Sequence, residues 1–263
     1  MGGKIVEHSF RLLFRNLGDA LKISVGPYLI AIVLSAIVLL ATAVPLETAL
    51  LALREGGQHQ VPGGPLALLG FLIVFLIVLF VSGWVAVSWH RYVLREEYPG
   101  ILPSLADKPI WAYVGRNLVL SLVLILIAIP LGFVLGLAVF PVASGLSSDG
   151  AMIASVGLVL VLATILFWMY LRWGLVLPAI AVGRPMTMSD SWNATKPLSG
   201  AIFIAILILV ALNLVVSLVV GLVLGDNIVS AIISLVIDWI SLMIGISILT
   251  TLYGHIVEGR TID

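Results

Sequence analysis

The sequence predicts an all-α polytopic membrane protein, with six transmembrane helices in three hairpins and interfacial helices on the cytoplasmic side. Three observations carry this. The chain is 62% hydrophobic and 10% charged, with a mean hydropathy of +1.25, whereas a soluble chain carries about 25% charged residues. Its apolar runs reach the roughly 20 residues that a helix needs to cross a bilayer. Its cations concentrate in alternate connections, as the positive-inside rule requires.

We read residues 1–263 as a single integral membrane domain with spans at about 20–44, 66–90, 118–143, 151–173, 201–224 and 228–253. Ahead of the first span, Val6, Phe10, Leu13, Phe14, Leu17 and Leu21 repeat at helical spacing. His8, Arg11, Arg15 and Lys22 fall on the other face, so Ile5 to Leu21 predicts an amphipathic helix lying at a membrane surface. This segment lacks a continuous apolar core and a small-residue cleavage site, and is expected to stay on the chain. Gly26-Pro27 is expected to bend or restart the chain.

The connection from Pro45 to Pro65 contains a short apolar stretch, Leu46 to Leu53, suited to an interfacial helix. The second span ends in Trp84, Trp89, His90, Arg91 and Tyr92, an aromatic and cationic group of the kind found at lipid-water boundaries. Asp107-Lys108-Pro109 predicts a helix start before the third span, which Pro130 is expected to kink. Trp168, Tyr170, Arg172 and Trp173 close the fourth span.

Arg172 to Lys196 then forms an elbow with breaks at Pro178 and Pro185. Within it Thr187-x-x-Asp190 predicts a capping box for a short helix that stops before Pro197. Gly225-Asp226-Asn227 predicts a tight turn between the fifth and sixth spans.

Twelve cations lie in the amino-terminal segment, the second connection, the elbow and the tail, against Arg54 alone in the first connection. This predicts that both termini are cytoplasmic. His90-Arg91, Arg172 and His255 mark the three predicted cytoplasmic exits at intervals of 82 and 83 residues. That spacing is compatible with a three-fold repeat of interfacial element plus hairpin, and equally with any six-span chain having short outer loops.

Composition also excludes chemistry. With no cysteine and a formal net charge of zero, thiolate nucleophiles, thiolate metal sites and a nucleic-acid footprint are ruled out. No nucleophile elbow, HExxH or phosphate-binding glycine loop is present. The histidines are expected at the surface rather than around a metal, and no cofactor is predicted.

Two groups remain as candidate sites. Asp238 is the acidic residue placed deep within a span, and Asn213 lies at similar depth on the preceding antiparallel helix. Ser230, Ser234, Asp238, Ser241 and Gly245 form a small, polar stripe, which predicts either interhelical hydrogen bonding or a midplane proton or substrate site. Structural hydrogen bonding is the favoured reading. At the elbow, Arg172, Trp173, Arg184 and Trp192 could contact a lipid head group or anchor the span by snorkelling, and anchoring is favoured.

Arg172, Leu177-Pro178-Ala179, Ser189, Trp192 and Thr195 together resemble bacterial six-span families of uncharacterised function. These include the membrane domain attached to some glycerophosphoryl diester phosphodiesterases. The resemblance covers the elbow and the six-span layout, and implies a bacterial inner-membrane protein with an accessory role. The sequence contains no soluble phosphodiesterase domain, so no catalytic residue carries over. The functional expectation is a non-enzymatic membrane accessory or scaffold protein that assists a partner complex or a lipid process. The alternative is a small transporter or channel using Asp238, Asn213, Ser234 and Ser241. The expected partners are the lipid bilayer and a membrane complex or specific lipid.

Overall fold

The structure is a computed structural model that describes residues 1–42, 44, 64–100, 102–224 and 228–262. The predicted helix at Leu46 to Leu53, the turn at Gly225 to Asn227, Arg54 and His59 lie outside these residues.

The described helices are α1 (Gly2–Arg15), α2 (Leu17–Ala41), α3 (Pro65–Arg95), α4 (Ile110–Ala143), α5 (Ser148–Trp173), α6 (Val176–Ala181), α7 (Met188–Ala194), α8 (Ser199–Leu224) and α9 (Ile228–Ile256). Among them α2, α3, α4, α5, α8 and α9 supply six helices long and apolar enough to span a membrane. Their outward residues are mostly apolar, as Leu68, Phe133 and Leu222 illustrate by being exposed. Water would not tolerate such a surface, whereas hydrocarbon does, and helices satisfy their own backbone groups within it. The protein is a multi-pass, all-α membrane protein.

The spans form a bundle around a core cluster that includes Trp89, Leu171, Leu177, Ile202, Met243 and Tyr253. The hairpins α2–α3 and α4–α5 pack along their lengths, α3 lies against α4 and α9, and α5 lies against α8. The third hairpin differs. Helix α1 packs against both α8 and α9, so an element from the start of the chain occupies space at the terminal end of the last hairpin.

This changes the role of the amphipathic helix. Ile5, Val6, Ser9 and Leu13 are buried against protein, while Phe14, Leu17 and Leu21 remain exposed. The predicted single amphipathic stretch is two helices meeting at Asn16. The Asn16 side-chain amide donates to the Leu12 carbonyl at 2.8 Å, closing α1, and its oxygen accepts from the Tyr92 hydroxyl at 2.9 Å. Pro27 neither stops nor restarts the chain, because α2 runs through it. Ser9 donates to Thr251 at 3.2 Å across 242 residues of sequence, and Arg260 donates to the Val93 and Leu94 carbonyls at 3.1 and 2.8 Å. Both termini are thereby fixed to one end of the bundle, called here the terminal end.

The first part of the elbow is buried, whereas residues 183–190 are largely exposed. All six residues of α6 are buried, including Pro178, and the helix packs against α3, α4 and α9. Gly183 follows it with φ +69°, a conformation that glycine adopts without steric penalty. The chain then reaches α7, whose capping box forms as predicted. The Asp190 N–H donates to the Thr187 hydroxyl at 3.1 Å, and the Thr187 N–H donates to the Asp190 carboxylate at 3.0 Å.

Candidate functional site

Helix ends leave carbonyls without intrahelical partners, and at the terminal end arginines satisfy several of them. Arg91 donates to the Ala181 carbonyl at 3.2 Å and Arg95 to that of Val182, both at the end of α6. Arg91 is also held by Glu97 through two short bonds of 2.7 and 2.6 Å. Lys108 reaches Ser88 at 3.0 Å. Burial pushes the Lys108 ammonium below the usual lysine range, with Glu97 opposing the shift and Arg91 adding to it. Cations that mark orientation in the sequence are thus also structural fasteners.

Arg172 belongs to the same pattern, and this corrects both sequence readings of it. Its residue is only 5% exposed, so it neither snorkels nor presents its guanidinium to a head group. One nitrogen donates to the Trp192 carbonyl at 2.8 Å and another to the Thr195 hydroxyl at 3.3 Å. The guanidinium carbon lies 3.5 Å from the Trp192 ring centroid and 5.2 Å from that of Trp168, within the range of cation–π attraction. The Arg172 carbonyl accepts from Ser191 and Thr195 at 2.7 and 3.3 Å. The residue joins the end of α5 to α7. Of the remaining head-group candidates, Trp173 and Trp192 are half-buried with ring centroids 5.3 Å apart, and Arg184 is exposed.

His90 is also corrected. Predicted at the surface, it is fully buried, with Nδ1 2.8 Å from the Thr250 hydroxyl and Nε2 3.2 Å from the Tyr113 hydroxyl. Trp89 beside it donates to Ser247 at 3.0 Å. These bonds tie α3 to α4 and α9 toward the terminal end of the bundle. The signal available in sequence was the series Ser247, Thr250 and Thr251 on α9, which offers hydroxyls at helical spacing. His255 is half-exposed, with its Nδ1 2.7 Å from the Arg260 carbonyl. His90, Arg172 and His255 therefore have different partners. Among the described residues no group of three or more His, Asp and Glu side chains could hold a metal ion.

The polar stripe of α9 divides. Asn213 donates to Ser241 at 3.3 Å, joining α8 to α9. Asp238, expected at the depth of Asn213, is exposed and has no hydrogen bond or ion pair among the described residues. Ser234 is half-buried and Ser230 is buried. Trp239, next to Asp238, turns inward and donates to Ser24 of α2 at 3.0 Å.

Beside the Asn213–Ser241 pair, α8 and α9 diverge to leave a groove of about 460 Å³. Leu209, Val216, Ile240 and Ile244 line its sides, and Phe10 of α1 and Phe167 of α5 contribute aromatic surface. Asp238 does not line it. The lining spans residues 209–216 and 237–245, about 11–12 Å along each helix at 1.5 Å per residue. A second apolar groove, about 410 Å³ and lined by Leu135, Val139, Leu158 and Val161, lies between α4 and α5.

The chain matches no family model, no curated protein and no solved structure. What the site can do therefore rests on its geometry. The groove can receive an apolar chain of small cross-section. The buried hydroxyl, imidazole and guanidinium groups hold helices together.

Proposed function

We propose that this protein is a non-enzymatic accessory protein of a bacterial inner membrane that holds a lipid acyl chain in the α8–α9 groove, in support of a lipid process. One observation carries the reading: the third hairpin is held open, and the space within it is apolar except for Asn213 and Ser241, which bond each other. An acyl chain asks for this kind of lining and needs no further polar group. The excess of cations at the terminal end supports an orientation with both termini in the cytoplasm. The transport alternative would use Asp238, which does not line this groove.

The test is photolabelling in phospholipid vesicles with a phospholipid carrying a diazirine in one acyl chain. Label is expected to concentrate on residues 209–216 and 237–245, and Val216→Trp or Gly245→Trp should remove it by filling the space. Label spread evenly over the outer faces of all six spans, and unchanged in both variants, would refute the reading.

A further inference from the structure

Asp238 lies ten residues into α9, about 15 Å from the first residue of the helix, and therefore near mid-depth of a hydrocarbon core about 30 Å thick. Leu235 and Leu242, three residues before it and four after, are exposed on the same side of the helix. The groove centres on Ile237, Ile240 and Ile244, with Ser241 and Gly245 at its edge toward Asp238, which does not line it, and Trp239 points to α2. The carboxylate therefore stands on a lipid-facing surface without an internal partner among the described residues.

Carboxylates within membranes face a partner or water, because hydrocarbon solvates them poorly. Among the described residues the bundle offers no cation here. Its described lysines and arginines sit near the terminal end, the deepest in sequence being Lys22, five residues into α2, and Arg116, six into α4. Asp238 precedes the terminal end of α9 by eighteen residues, about 27 Å.

We propose that the Leu235–Asp238–Leu242 face of α9 docks a membrane-spanning helix of another protein that carries a lysine or arginine at mid-depth. Charge complementarity selects this occupant. A second copy of the chain could bring only Asn213, serine hydroxyls or another Asp238 to this depth from its described residues. The flanking leucines supply apolar packing around the ion pair, and the pair fixes the register of the two helices. The inference does not depend on lipid in the groove, and its test uses a different readout.

The absence of native cysteine lets the full chain take a single donor dye through Lys4→Cys, at an exposed position. The labelled protein is reconstituted in phosphatidylcholine vesicles with an acceptor-labelled, leucine-rich helix of about 20 residues bearing one central lysine. Energy transfer should saturate at about five- to thirty-fold less peptide than with a central leucine. Asp238→Asn and Asp238→Leu should abolish that preference, and Asp238→Glu should retain it. Equal binding of the two helices, or a preference that survives Asp238→Leu, would overturn the proposal. So would Asp238-dependent transfer between copies of the chain, which would make a second copy the occupant. Loss of fold in both Asp238→Asn and Asp238→Leu would also overturn it, by giving the carboxylate an internal role.

Discussion

Replacing Arg172 with methionine removes the fastener between α5 and α7 while keeping a long apolar stem. The structure itemises what is lost: a bond of 2.8 Å to the Trp192 carbonyl, a longer one of 3.3 Å to Thr195, and a guanidinium 3.5 Å from the Trp192 ring centroid. A hydrogen bond from a charged group is worth about 1.5–3 kcal/mol, and a desolvated cation–π contact about 1–2 kcal/mol. Methionine recovers part of this, because the buried guanidinium no longer has to be desolvated. It also leaves the Trp192 carbonyl without that donor. The expected net loss is about 3 kcal/mol. Lysine keeps the charge and one bond but loses the planar stacking, so its loss should be smaller, about 1–2 kcal/mol. Unfolding by SDS titration from mild detergent, followed by tryptophan fluorescence, measures both. If Arg172→Met unfolds at the same SDS fraction as the parent, Arg172 is not the fastener described. If lysine is no better than methionine, the charge contributes nothing.

Two further outcomes test the α1 packing and the elbow. At Gly2 an added Cβ would lie 2.6 Å from the Ala201 carbonyl oxygen and 2.8 Å from the Ile204 Cβ, whereas at Gly3 it would meet nothing within 4 Å. Gly2→Val should therefore destabilise the SDS-titrated protein by about 1–3 kcal/mol and Gly3→Ala should not; equal effects would mean that α1 does not approach α8 closely. At α7, the Thr187 hydroxyl and N–H hold the Asp190 carboxyl below the usual carboxylate range. A depressed folded pKa stabilises above the unfolded value, about 3.9, and that contribution is lost as pH falls through the folded pKa. Protection of the α7 amides, relative to their intrinsic exchange rate at each pH, should fall on acidification below about pH 4. Asp190→Asn should remove this pH dependence, and its persistence in the variant would assign the titration to another group.

The spans were readable because each is a long run with few charges, and hydrocarbon leaves a backbone only the helix. The Thr187–Asp190 cap was readable for a similar reason: its bonds join residues three apart, so local sequence contains the whole motif. Arg172 and His90 were misread because both sit among tryptophans and cations, the signature of a lipid boundary. Their partners lie 20 or more residues away, Trp192 and Thr195 for one and Tyr113 and Thr250 for the other. Local pattern cannot separate a side chain that reaches the interface from one that turns into the bundle. The stripe on α9 was read as one face, yet Trp239 and Ser241 fix a rotation that puts Ser241 beside the groove and Asp238 outside it.

By itself the sequence determined the solvent, the number of spans, the all-α class and the Thr187–Asp190 cap, since hydropathy, chain length and capping are local properties. Only the tertiary structure decided which helix neighbours which. It packed α1 against the last hairpin, and it buried α6 within the terminal end. It opened the space between α8 and α9, and it left the Asp238 carboxylate facing outward. Those outcomes depend on side-chain shape and polar pairing between segments far apart in the chain. In lipid, where most of every outward face is apolar, hydropathy alone cannot rank one packing over another.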